Sequence, residues 1–132
     1  MKKSGFTLIE LLVVIAIMAL LLAMAIVSIS NINTKKRDAI RVTNMKEIFK
    51  ALALYQNQTQ KYPVYTGNIT GLVTMSTTLE TADAISKVTT DPLASYNYTY
   101  TSSDGSTFTL GFCLETDSIK GYSQGCGNTM SP

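Results

Sequence analysis

The sequence predicts an α+β chain: a long N-terminal helix, built for a membrane in its first half, packs in its second half on a small antiparallel sheet. Three observations carry that expectation. Leu11 to Val27 is a run of seventeen residues without a charged or polar side chain. No proline interrupts the chain between Phe6 and Lys61, and Val42, Met45, Ile48, Phe49, Leu52 and Tyr55 recur at threes and fours within it, which gathers them on one helical face with the charges opposite. Near the C-terminus, residues 96–100 and 108–114 place large side chains at every second position, the period of a strand.

The N-terminal element begins with a cationic head, Met1-Lys2-Lys3, ahead of the apolar run. Phe6 to Ile29 would make about 36 Å of helix, enough to cross a hydrocarbon core of about 30 Å. Three readings compete. Ala23-Met24-Ala25 offers the small-x-small pattern of an ordinary signal peptide, cut near Ala25 to leave a secreted or membrane-anchored extracellular binding domain. A plain single-span anchor also fits, but Lys2 and Lys3 on one side face Lys35, Lys36, Arg37 and Arg41, offset by Asp38, on the other, so charge alone leaves the orientation open. Neither gives Glu10 a purpose, although a carboxylate in an apolar span costs roughly 2.5–3.5 kcal/mol at the centre of the helix and less toward its ends.

A third reading does. Gly5-Phe6-Thr7-Leu8-Ile9-Glu10 resembles the prepilin processing motif of type IV pilins and pseudopilins. Arg37-Asp38-Ala39-Ile40-Arg41, the helical Ala51-Leu52-Ala53-Leu54-Tyr55 and Lys61-Tyr62-Pro63 are similar to the corresponding region of the major pseudopilin of type II secretion. The resemblance implies a pilin-like fold, removal of residues 1–5 as a leader by a prepilin peptidase cutting between Gly5 and Phe6, and N-methylation of Phe6. It gives Glu10 an assembly role, pairing with the N-terminal amine of a neighbouring subunit. Residues 6–30 are then a transmembrane helix, 31–61 its amphipathic continuation and 62–132 a small globular domain. Further implied are a filament built from this chain and other pilins, an inner-membrane assembly platform and its ATPase, and contact with membrane lipid. The C-terminal domain would lie outside the cytoplasm, first on a single-pass membrane protein and then in an extracytoplasmic filament. Type II secretion, DNA uptake, and surface adhesion or motility all fit. Many pilins bend the helix with a proline about twenty residues into the mature chain, where this sequence has Ala25-Ile26-Val27.

Beyond the helix, Lys35-Lys36-Arg37 reads as a headgroup contact or an intersubunit ion pair. With Lys2 and Lys3 removed, nine basic residues balance nine acidic ones, so nucleic acid is not expected as a direct partner. Tyr62-Pro63 stops the helix, and a linker with Gly67 and Gly71 follows to about Ser95. Within it Thr77-Thr78-Leu79-Glu80 fits a capping box, predicting a short helix over 78–87. Ser102-Ser103-Asp104-Gly105 joins the two strands as a hairpin, and Ile119 to Ser123 is the candidate third strand. Tyr96, Tyr98 and Tyr100 share one strand face, which suits core or a protein contact better than a ligand platform.

Cys113 and Cys126 are the two cysteines, and either one disulfide or two free buried thiols accommodates them. The disulfide, simpler in a Gly- and Ser-rich tail, requires an oxidising compartment and closes a loop worth about 3 kcal/mol. The chain has no histidine, no phosphate-binding loop and no nucleophile with an evident base, so no enzyme and no required cofactor are expected. Relatives of the type II kind often hold calcium in a C-terminal loop; Glu115 and Asp117 are the nearby acids, without a dense acidic pattern around them.

Overall fold

The computed structural model describes residues 5–69 and 73–132. Met1 to Ser4 of the expected leader and Gly71 of the expected linker lie outside them. The chain divides into two units, residues 1–34 and 35–132. Helix α1, Leu8–Thr59, contributes to both.

In the first unit the described side chains from Gly5 to Asn33 are all exposed. Leu, Ala and Met favour helix intrinsically, while the β-branched Val13, Val14 and Ile15 do so less. A helix satisfies every internal N–H and C=O from its own chain, the condition a lipid environment imposes. This stretch is long and apolar enough to cross a membrane.

The second unit is α1 from residue 35 onward, β1 (Tyr65–Ile69), α2 (Thr74–Thr81), β2 (Tyr98–Ser102), β3 (Thr109–Leu114) and β4 (Gly125–Met130). The four strands form one antiparallel sheet in sequence order, with Tyr100 opposite Leu110 and Leu110 opposite Met130. The predicted helical face meets the predicted sheet face. Val42, Met45, Ile48 and Leu52 are buried with Tyr98, Tyr100, Phe108, Leu110, Phe112 and Leu114, and Phe49 and Tyr55 pack at the edge. Each fully buried Met, Ile or Leu contributes about 1.5–3 kcal/mol through removal of its surface from water. The tyrosines are core: the Tyr100 hydroxyl donates to Pro63 O at 2.7 Å, and the Tyr98 oxygen accepts from Asn44 Nδ2 at 3.0 Å. Burial pushes both phenols up to about 12. Tyr96 stands outside β2 and only partly buried, so the row of three shortens to two.

Several expectations need correction. Ile119 to Ser123 is not a strand: Tyr122 N–H closes a turn onto Ile119 O, and Gly121 adopts φ +91°. The third partner of the hairpin is β4, whose Gly-Cys-Gly-Asn-Thr-Met sequence lacks strand alternation and is held by its neighbour. β1 lies inside the expected linker, where Gly67 reads as a breaker, and pairs along its whole length with β2. The short helix begins at Thr74, four residues before the predicted start, with no side-chain cap. Thr77 and Thr78 therefore sit inside α2, each hydroxyl donating to Thr74 O, and Glu80 accepts Val88 N–H at 2.9 Å instead of capping. At the hairpin the Gly105 carbonyl accepts Tyr62 N–H at 2.9 Å, and a Cβ at that glycine would stand 2.8 Å from Tyr62 O. Gly105 thereby joins the hairpin to the exit of α1.

Candidate functional site

The first N–H groups of a helix have no partner inside it. In α1 they are served by residues of the motif itself. Thr7 precedes the helix, its carbonyl accepting Leu11 N–H at 3.3 Å. Glu10 stands three residues on. The Thr7 N–H and hydroxyl donate to Glu10 Oε2 at 2.9 and 2.7 Å, and Glu10 N–H donates back to Thr7 Oγ1 at 3.3 Å. This is a reciprocal capping box. Sequence reasoning placed that device at Thr77 to Glu80 and missed it here, although Thr7-Leu8-Ile9-Glu10 carries the same spacing directly before an apolar run.

Gly5 and Phe6 lie ahead of the helix. A Cβ added at Gly5 would meet nothing within 4 Å, and Phe6 is 77% exposed. Packing among the described residues therefore demands neither the small residue nor the aromatic one. Gly5, Phe6 and Glu10 stand together on one short exposed segment at the head of the apolar helix.

At the other end of the chain, Cys113 and Cys126 form a disulfide between β3 and β4. It sits where the register shifts, with Phe112 opposite Asn128 and Leu114 opposite Gly125. Cys113 is buried and Cys126 exposed.

The two acids considered for calcium are engaged elsewhere. Glu115 Oε1 accepts from Arg37 Nε at 2.7 Å and Arg41 Nη1 at 2.6 Å, and its Oε2 accepts from Arg37 Nη2 at 2.6 Å. Asp117 accepts Gln124 N–H. Among the described residues no group of three or more His, Cys, Asp or Glu is arranged to hold a metal ion.

Glu115 belongs to a cluster centred on Arg41, whose side chain is fully buried. Arg41 Nε and Nη2 donate to Asp91 at 2.8 and 3.0 Å, and Nη1 donates to Asp38 at 2.9 Å. Its guanidinium also lies 4.9 Å over the Tyr96 ring. Asp38 in turn accepts Glu115 N–H, Thr116 N–H and the Thr116 hydroxyl at 2.7–2.9 Å. Burial works against the Arg41 charge, but the bonds to Asp91 and Glu115 overcome it and hold its pKa above the ordinary arginine value. The Arg37 hydrogen bonds, reinforced by Arg41, bring Glu115 down to about 2 against the cost of burial. Two expectations change. Asp38 and Arg41 lie buried on the same helical face as Val42 and Met45, not opposite it. Arg37 pairs within its own chain, leaving Lys35 and Lys36 as the exposed members of the basic run.

A family model described as the prokaryotic N-terminal methylation motif matches residues 1–29. Comparison with curated proteins and with solved structures returns no match. The matched segment contains Gly5, Phe6 and Glu10, and it marks a structural protein and not an enzyme. That motif at the head of a long apolar helix, followed in the chain by an α+β unit with an antiparallel sheet, makes the N-terminal segment similar to that of type IV pilins and pseudopilins and supports a pilin-like protein.

Proposed function

We propose that the chain is the subunit of a type IV pilus-like filament, cut between Gly5 and Phe6, methylated at Phe6 and polymerised through the apolar first half of α1. One observation carries this reading: a single carboxylate, Glu10, stands at the head of an apolar helical segment whose described side chains are all exposed. A surface of that kind needs lipid first and other subunits afterwards. The free, unhindered Gly5-Phe6 segment suits a peptidase that must grip extended backbone. Once cut, the new amine of one subunit is a cation able to neutralise Glu10 of another, which removes the cost of an isolated acid in an apolar bundle.

On this reading the partners are other copies and other pilins, a prepilin peptidase, membrane lipid, and an inner-membrane platform with its ATPase. The globular unit stands outside the cytoplasm before and after assembly, where an oxidising compartment accounts for the disulfide. The likeness of residues 37–63 to a major pseudopilin favours a secretion-type filament over an adhesive or motile one. DNA uptake uses the same kind of filament.

Intact mass of the mature protein tests the processing step. A methylated Phe6 start is expected, whereas a start at Ile26 would establish an ordinary signal peptide and sink the filament. Glu10→Ala tests assembly: membrane insertion is retained, and filaments recovered by shearing fall at least about tenfold. Normal filament yield without the carboxylate would refute the pairing.

A further inference from the structure

On the second unit, a groove of about 520 Å³ runs between α1 and the end of β4. Phe49, Tyr122 and Met130 form its apolar part, Thr129 lies on its wall, and Lys46 and Lys50 line its helical side. Phe49 and Tyr122 are fixed from behind by edge-on contacts with Phe108 and Phe112, at centroid distances of 5.3 and 5.1 Å. Neither lysine forms an ion pair among the described residues. Two ammonium groups one helical turn apart beside an apolar floor call for an acid carried on a small or apolar segment.

Most acids of this unit are already engaged. Asp38, Asp91 and Glu115 are held by the two arginines, while Glu80, Asp104 and Asp117 accept N–H groups of Val88, Ser106 and Gln124. Among the described residues Glu47 and Asp83 remain, with exposed carboxylates that accept no hydrogen bond and form no ion pair. A Glu47 from another copy would arrive flanked by its own Lys46 and Lys50, whose repulsion offsets the gain. Asp83 has no lysine directly beside it, the next in sequence being Lys87. It sits at the turn after α2, in the left-handed conformation at φ +55°, between the small residues Ala82 and Ala84.

We propose that the groove lined by Lys46 and Lys50 receives the Asp83 turn of a second copy of this chain. The proposal rests on the filament reading and deepens it. Because groove and turn are different parts of one surface, the contact is head-to-tail and repeats without closing, as a filament requires.

The test uses the full chain in cells that assemble it, with sheared filament as the readout. Lys46→Glu with Lys50→Glu, and separately Asp83→Lys, each lower the yield about tenfold, and combining all three changes restores it to within about twofold. Independently, Lys50→Cys and Asp83→Cys carried on separate co-expressed chains give a disulfide-linked dimer that neither gives alone. Undiminished filaments in both one-sided reversals, or no dimer in the mixture, would overturn the contact while leaving the filament reading intact. Absence of filaments from the unaltered chain would instead overturn the filament reading.

Discussion

The two parts of α1 are chemically alike in one respect, since both carry large apolar side chains at helical spacing, and opposite in another. From Leu8 to Ile32 the described apolar side chains are exposed, whereas Met45, Ile48 and Leu52 are fully buried. The later part finds its partner in its own sheet. The earlier part has none among the described residues, so its sequence answers to an environment outside the chain. The same apolar residue is thus buried by its own fold in one part and left to an outside environment in the other.

That contrast can be broken at its strongest point first. Arg41→Ala leaves Asp38 and Asp91 buried without their cation and should cost about 3–5 kcal/mol, read by thermal unfolding of the full chain in detergent. Lys36→Ala, a few residues away and exposed, should change the midpoint little. Next, Leu52→Ala should cost about 2–5 kcal/mol, while Leu20→Ala leaves unfolding of the globular unit within about 0.5 kcal/mol. Equal losses would erase the distinction between the two parts. Replacing both cysteines with serine should remove about 3 kcal/mol, measured as a lower denaturant midpoint.

A smaller effect follows from acid. Glu115 is held at about 2, below its ordinary 4.5, chiefly by Arg37. A depressed carboxylate stabilises the fold above its unfolded pKa, and that stability is lost as pH falls through the folded value. Unfolding midpoints should therefore fall between about pH 4.5 and pH 2, by on the order of 2 kcal/mol after allowing for part exposure, and Glu115→Gln should flatten that interval. Smallest of all, Thr7→Val removes half of the capping box and should cost the start of α1 about 1 kcal/mol, seen as faster amide exchange in the first turn only.

The helix, its buried stripe, the Phe108 to Leu114 face and the N-terminal motif were legible because each repeats a period or a spacing that local chemistry fixes. What escaped depends on distant partners. Arg41 reads as a solvated charge because, apart from Asp38 on the same helix, its counter-ions are Asp91 and Glu115, fifty and seventy-four residues away. β1 and β4 escape because Gly67, Gly125 and Gly127 break the pattern, and their pairing comes from the adjacent strand. The disulfide was readable from two cysteines; the register shift beside it was not. Among the site residues, Glu10 was legible as an anomalous acid, but its bonds to Thr7 depend on the helix starting at Leu8, inside an apolar segment that hides its own boundary.

Among the described residues the sheet order leaves β1 and β4 with one unpaired backbone edge each. Copies held close together can pair through such edges and grow a disordered aggregate. β4 is poorly suited to that error: its pairing is interrupted by the register shift, its backbone turns at Gly125 with φ +104°, and the cystine pins it to β3. β1 is five residues long. An irregular rim of this kind keeps the sheets of neighbouring copies from zipping together edge to edge.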